Sequence, residues 1–377
     1  MNLSDIYCQD RAIDNLQRAY GCGKVGHAYI FAAPDGVGRF TTAKAWGKLL
    51  LCQKPVITDG FADSCNNCPS CEVFDGDSHP DFCHIHKELI RFTKKTENKN
   101  KTPIDLPIDV IREFLIEKVA TRPSLSGAKV YVVSESEKLN VNSQNALLKV
   151  LEEPPRYCYI ILLCSKLENL LPTTQSRCQV VRFGAIDTDK IAAVLCDGGT
   201  GGDESKFWPR FTGGSVGQSL RFANLIDIKE ESSACLYQFK RQLVEKLARF
   251  VLADVVDLAG WICASTKVVS EWWAKQQPDM SKKDITRQSQ KTFIRIIVSV
   301  FSDVMKAEIA DSADFVNFDQ ASSVMALARQ FEAEEAAGKI EDCYEAIRRV
   351  DASVNEKLIF EHLLINLASS DTMRVSG

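Results

Sequence analysis

The run HAYIFAA at residues 27–33 ends at Pro34 and gives way to the glycine loop DGVG, after which helix-forming residues set in near Thr41. An unbroken apolar run of this length fits a strand buried on both faces, as in a parallel sheet covered by helices. Strand, glycine loop and helix in that order are the context a phosphate-binding loop requires, and they point to an α/β domain. The working loop reads G-x-x-x-x-G-K-[ST], its Lys reaching the β/γ-phosphates and its hydroxyl ligating Mg²⁺. In this chain Ala33 stands at the first glycine, and the last two positions are Arg39 and Phe40. Arg keeps the charge but exchanges a compact ammonium for a planar fork, and a phenyl ring ligates no metal. Gly36, Gly38 and Arg39 remain as cofactor-binding candidates. Whether ATP or ADP occupies them is left open, no Mg²⁺ site is expected, and the loop is expected to fold without hydrolysing.

A second strand is expected at residues 130–133 (VYVV), and the two residues after it test the same idea. A nucleotide hydrolase has Asp-Glu there, the Asp holding Mg²⁺ through water and the Glu polarising the attacking water. Here they are Ser134 and Glu135. The missing carboxylate and the missing hydroxyl at Phe40 are two defects in one metal site.

Downstream of the loop the spacing is C52-x12-C65-NN-C68-PS-C71. Four thiolates with two C-x-x-C steps suit tetrahedral Zn²⁺ with no open coordination position, a structural rather than catalytic site. His79, Cys83, His84 and His86 follow closely, and any of them is an alternative to the distant Cys52. Four unconnected buried cysteines are the other reading. With 377 residues the chain is long enough for two or three domains. No apolar run is of membrane-spanning length and no basic-then-apolar leader opens the sequence, so a cytoplasmic protein without membrane contact is expected. In a reducing compartment its 14 cysteines serve as buried thiols or metal ligands rather than disulfides. A net charge of −4 implies no global attraction to nucleic acid.

Residues 10–20 carry helical apolar spacing, the lysine-rich stretch 94–102 reads as a solvated loop, and a helix is expected over 108–116 followed by a turn at 121–127. Beyond Phe183 come short helical pieces broken by glycine clusters at 198–202 and 213–217, the first taken as a flexible loop. From residue 233 to 368 the sequence is mostly amphipathic helix, with apolar stripes at 236–251 and 293–301.

The stretches NALLKVLEEPP (145–155) and LLPTTQSRC (170–178), with the thiolate tetrad and HPD at 79–81, resemble the clamp-loader branch of AAA+ proteins, subunits of bacterial DNA polymerase III. The resemblance covers roughly residues 5–225, is strongest over 142–178 and persists faintly in the helical tail. It implies an AAA+ α/β domain over 1–183 with a zinc module inserted at about 52–71, a small helical lid over 184–228, and an all-α collar for oligomerisation over 229–377. Within the family the sequence is similar to the inert delta-prime kind rather than the ATP-hydrolysing motor. Arg39-Phe40 replaces Lys-Ser, Ser134 replaces the metal Asp, and Gly217 in GSVG stands where the motor's second sensor has Arg. Arg177 of Ser-Arg-Cys is intact, and the resemblance gives it a role in trans, pointed at the γ-phosphate in the next subunit. The resemblance further implies structural Zn²⁺ on Cys52, Cys65, Cys68 and Cys71, motor (gamma/tau-like) and delta-like subunits as partners, and contact with the sliding clamp and primed DNA through the assembled complex. Glu152 and Glu153 read as a helix C-terminus, and Cys164 and Ser165, at the first sensor's position, as structural. An ATP-hydrolysing motor using Arg39 in place of Lys and a zinc-dependent scaffold unconnected with replication are the alternatives. Metal analysis, ATP turnover and partner capture separate them.

Overall fold

A computed structural model of the chain describes residues 1–94, 105–223, 236–277, 280–309 and 311–368. It forms two compact units, Met1–Ile186 with Ser215–Gly217, and Asp187–Gly214 with Gln218–Gly377. The lid-to-collar boundary expected at 228/229 and the lysine-rich stretch beyond Lys94 fall outside the described residues.

In the first unit five strands make one parallel sheet: β1 (Ala28–Ala32), β4 (Phe82–Ile85), β5 (Lys129–Val133), β6 (Cys158–Cys164) and β7 (Gln179–Arg182), in the order β4-β5-β6-β1-β7. The loop-bearing strand β1 therefore lies between β6 and β7. The α/β reading holds, and the alternation of side chains shows why the inner strands β1, β5 and β6 are almost wholly apolar. Tyr29, Phe31, Val130, Val132, Ile161 and Leu163 enter one core with α1 (Asp10–Gly21) and α2 (Arg39–Leu51). Ala28, Ile30, Tyr131, Val133, Ile160 and Leu162 enter a second core on the other face. There they meet Val110 and Ile111 of α4 (Ile108–Ile111) and Leu147 and Leu151 of α6 (Val141–Glu152). With both faces covered, period-two polarity has nowhere to show.

Three local features depart from expectation. Strand β4 was not anticipated, because FCHI beside two more histidines reads as ligand chemistry rather than as a sheet edge. The helix expected over 108–116 does form, but it passes through a π-helical turn at Arg112–Ile116 before α5 (Glu117–Val119). The thiolate module contributes its own hairpin, β2 (Val56–Thr58) with β3 (Phe61–Asp63), and the short helix α3 (Pro69–Asp75).

The second unit is helical among its described residues. It begins with α8 (Thr188–Asp197) and α9 (Gly202–Phe211), which follow α7 (Pro172–Gln175) of the first unit. The glycines at 198–202, expected as a flexible loop, instead form a bonded helix end: Gly198 N donates to Val194 O at 3.1 Å, and Gly199 N and Thr200 N to Cys196 O and Leu195 O at 2.9 Å each. After α10 (Val216–Phe222), whose first residues cluster with the first unit, come α11 (Leu236–Ala248), α12 (Val255–Gln276), α13 (Lys282–Lys306), α14 (Ala321–Ala328), α15 (Ala333–Asp351) and α16 (Glu356–Leu367). The long α13 packs on α12 and α15, burying Phe293, Ile294, Ile297 and Val300 completely. One ion pair is buried with them: Lys240 reaches Asp319 at 2.6 and 2.8 Å, and Tyr237 donates to the same carboxylate at 2.8 Å. Burial holds the Lys240 ammonium down to about 8 against the pull of Asp319, so the pair needs all of its partners.

Candidate functional site

Gly36 and Gly38 have φ of +81° and +95°, values that only glycine adopts without strain, and Gly38 caps the start of α2. The loop thus has the backbone of a phosphate cradle, but its side chains turn elsewhere. The Arg39 guanidinium, 9% exposed, folds back one turn onto the Asp35 carboxylate, and its Nη1 is buried with no hydrogen-bond partner among the described residues. Residues from later in the chain close on the same loop: Ser215 Oγ donates to Asp35 O at 2.9 Å and Gly217 N to Gly36 O at 2.8 Å. A Cβ at position 217 would already stand 3.3 Å from Gly36, so the glycine at the expected sensor-arginine position permits this close approach.

Phe40, at the position of the metal-binding hydroxyl, lays its ring against His84, centroids 4.5 Å apart and planes at 41°. His84 Nε2 in turn hydrogen-bonds Ser134 Oγ at 2.7 Å. Three residues from α2, β4 and the end of β5 therefore share the region where a hydrolase assembles its metal. At the first-sensor position, Ser165 bonds Glu137 through its hydroxyl and, at 3.2 Å, its backbone N–H.

Burial, helped by His86 and Lys44 and opposed by Glu88, pushes the His84 pKa down to about 4 from the ordinary 6.5. The unfolded chain therefore takes up a proton near pH 6.5 that the folded chain refuses until about pH 4. Stability from this group is complete above the upper limit and falls as the pH drops through that window. Replacing His84 by Gln should flatten this part of the acid limb in a plot of melting temperature against pH. An unchanged slope would show that the ring is not held neutral.

The four thiolates come together as expected, their sulfurs all within 4.8 Å of one another. Cys52 caps α2, Cys65 follows β3, Cys68 caps α3 and Cys71 lies within it. Cys52 Sγ is 3.5 Å from Cys65 Sγ and 4.0 Å from Cys68 Sγ. Four sulfurs at the usual zinc–sulfur length of about 2.3 Å stand about 3.8 Å apart in a tetrahedron, so the donor set and its spacing fit Zn²⁺. None of the alternatives to Cys52 joins the group: Cys83 and His84 belong to β4, His86 Nδ1 pairs with Glu88 at 2.9 Å, and His79 is engaged elsewhere.

The module is tied into the domain at two points. Lys48 of α2, almost fully buried, donates to Asn66 Oδ1 at 2.7 Å and to both Asp75 oxygens at 2.8 Å. Asn66 sits in the turn between the second and third cysteines with φ of +62°. At the other end, Ser70 Oγ donates to Leu51 O at 2.7 Å, so it accepts from His79 Nε2 at 2.9 Å, while His79 Nδ1 accepts from Asp81 N at 3.1 Å. That pattern requires the neutral ring with its proton on Nε2, and burial holds the His79 pKa below its ordinary value. Asp81 takes N–H bonds from Ser124, Leu125 and Ser126 at 2.7–2.9 Å; although burial opposes it, these donors hold the carboxyl below its usual range.

Arg177 lies just after α7, with 34% of its side chain exposed. Its Nη2 reaches Glu152 Oε1 at 2.6 Å and its Nη1 donates to Thr173 O at 3.0 Å. Glu152 ends α6, as expected from the two prolines that follow. The partnership with Arg177 was not expected, and neither was the one between Phe40 and His84. Both join residues far apart in sequence, and no spacing signals them.

Comparison with known proteins gives a consistent neighbourhood. Residues 8–187 match the family model described as DNA polymerase III, delta subunit, and residues 279–369 match the model for the C-terminal domain of that subunit. A DNA polymerase III subunit delta′ of Pseudomonas aeruginosa is 32% identical over 176 residues, 47% of this chain and 48% of the relative, so the match spans about half of that protein's length. A subunit delta′ of Bacillus subtilis is 21% identical over 361 residues, 95% of this chain and 96% of the relative. Among solved structures, a gamma subunit-related protein of DNA polymerase III from Thermotoga maritima aligns with a TM-score of 0.41 at 15% identity, over 93% of this chain and 97% of that one. No helix among the described residues is long and apolar enough to cross a membrane.

Proposed function

The chain belongs to the delta-prime family of DNA polymerase III clamp-loader subunits, and from that premise we propose that it is an ATPase-inert member which serves its neighbour's active site. It assembles with motor (gamma/tau-like) and delta-like subunits and helps place the sliding clamp on primed DNA. The observation that carries this reading is a contrast. Four side chains that would handle this chain's own nucleotide have internal partners: Arg39 has Asp35, Phe40 and Ser134 have His84, and Ser165 has Glu137. Arg177, though held by Glu152 and Thr173 O, keeps 34% of its side chain open to solvent. A guanidinium so placed suits the developing negative charge of phosphoryl transfer in an adjacent subunit, the task of an arginine finger.

In this reading Cys52, Cys65, Cys68 and Cys71 hold one structural Zn²⁺, which closes the knuckle by binding four thiolates and leaves no position for substrate. The domains are an AAA+ unit to about residue 183, a small lid to about 228 and a collar beyond it. The experiment is reconstitution with the motor and delta-like subunits. The complex should incorporate this chain and need it for full clamp- and DNA-stimulated ATP hydrolysis, whereas the chain alone should turn over no ATP. Motor-like turnover by the chain alone would overturn the proposal.

Restoring the loop should not restore catalysis. The double substitution Arg39→Lys, Phe40→Thr supplies an ammonium and a hydroxyl, yet Ser134 still offers no metal-holding carboxylate and Gly217 no guanidinium. The same change removes a ring that is 38% exposed and packed on His84, which should cost about 0.5–1.5 kcal/mol of stability. ATP turnover by the double variant comparable with a motor subunit would show that the other two losses matter little.

A further inference from the structure

We infer that Glu152 is a positioning residue for Arg177, holding the guanidinium plane in the orientation that meets the neighbour's nucleotide. This rests on the reading of Arg177 as a finger acting in trans. A half-exposed arginine has several rotatable bonds and, left alone, spreads its charge over many orientations. Here the fork is held at both tips, Nη2 by the Glu152 carboxylate at 2.6 Å and Nη1 by the Thr173 carbonyl at 3.0 Å. The two holds come from different elements, the end of α6 and the start of α7. With the side-chain stem as a third point, two separated holds fix the plane, whereas one leaves it free to turn, and a planar donor array is useful to a phosphoryl group only when its plane is set.

Stability does not explain Glu152. A carboxylate in the last turn of a helix faces the negative end of the helix dipole, where cations are preferred. An ion pair whose members are 34% and 48% exposed returns little in exchange. What the placement does achieve is to orient Arg177 without consuming it. A guanidinium carries five N–H donors, so donors remain for an incoming anion while the carboxylate holds one edge. Because the pair is wet, it can also loosen as the phosphate arrives. A carboxylate that merely parked the finger would compete with that phosphate, and its removal would speed the neighbour rather than slow it.

The test uses the reconstituted loader, with incorporation of each variant and its melting temperature checked first. Glu152→Ala should lower kcat for stimulated ATP hydrolysis at the served site about tenfold, within the ~10²-fold that a small misplacement can cost, with a much smaller change in KM for ATP. Glu152→Gln, which keeps an acceptor oxygen, should fall between Glu152→Ala and the natural protein. The double variant Glu152→Ala, Arg177→Ala should be no slower than Arg177→Ala alone, a non-additivity that a separate structural role would not produce. Should Arg177→Ala abolish activity while Glu152→Ala leaves kcat unchanged or raises it, the positioning inference is overturned and the finger reading stands. Should Arg177→Ala itself have no effect, both are overturned.

Discussion

Arg177→Ala in the reconstituted clamp loader is expected to abolish hydrolysis at one ATP site while leaving this subunit folded and incorporated. Arginine fingers contribute about 10³–10⁵ in rate at the site they serve, because they place fixed positive charge where the transition state develops negative charge. The whole complex loses less than that factor, since its other sites keep their own fingers. The variant should fold because the side chain is partly exposed and contributes one surface ion pair and one bond to a carbonyl, interactions worth little to stability. Arg177→Lys should rescue poorly, since a compact ammonium on a flexible stem does not reproduce the planar fork that Glu152 and Thr173 O hold at its two tips. The measurements are steady-state hydrolysis and clamp loading in the presence of clamp and primed DNA. Natural rates from a complex shown to contain the alanine variant would remove the central claim.

Loss of zinc is the second large effect. Structural zinc sites bind with apparent free energies of about 10–16 kcal/mol in small peptides near neutral pH, and the four sulfurs are spaced to receive the ion. Purified protein should carry one Zn²⁺ per chain, and replacing Cys65, Cys68 or Cys71 by Ser should release it. The effect should be local. The sheet and the core on its far face are built from other residues, and the module adds only Ala62 and Phe74 to the nearer core, so helical content should change little while proteolytic cleavage between residues 53 and 71 accelerates. Carefully prepared protein without zinc by metal analysis would refute the assignment, and a global loss of structure in Cys68→Ser would refute its locality.

The parts of this architecture legible in the sequence are those whose signal is local. A buried strand shows as an unbroken apolar run, a cradle as glycines before a helix, a knuckle as paired C-x-x-C steps. Strand β4 escaped because it lies at the sheet edge, where Cys83 and His84 are only partly covered and polarity is tolerated. Missing it concealed His84, and with it what occupies the region beside Phe40 and Ser134. The substitutions could be read as losses, but the partners at those positions, Asp35, His84 and Glu137, are not signalled by any spacing. Glu152 shows the same limit: its position at a helix end was legible, whereas its hold on Arg177, 25 positions further on, depends on how α6 and α7 are laid on the sheet.

Asp81 has a consequence for what the chain can tolerate. By accepting the N–H groups of Ser124, Leu125 and Ser126, it fastens the entrance of β4 to the approach of β5, and the chain between them leaves and returns through one closed neck. For a loop already closed at its base, added length costs only the slow logarithm of loop entropy, about 0.6 kcal/mol for a doubling. Exposed described positions within that neck, such as Arg91, Arg112 and Arg122, can be recharged at little expense to the sheet. A lineage of such proteins could vary those positions freely while the neck itself stays fixed.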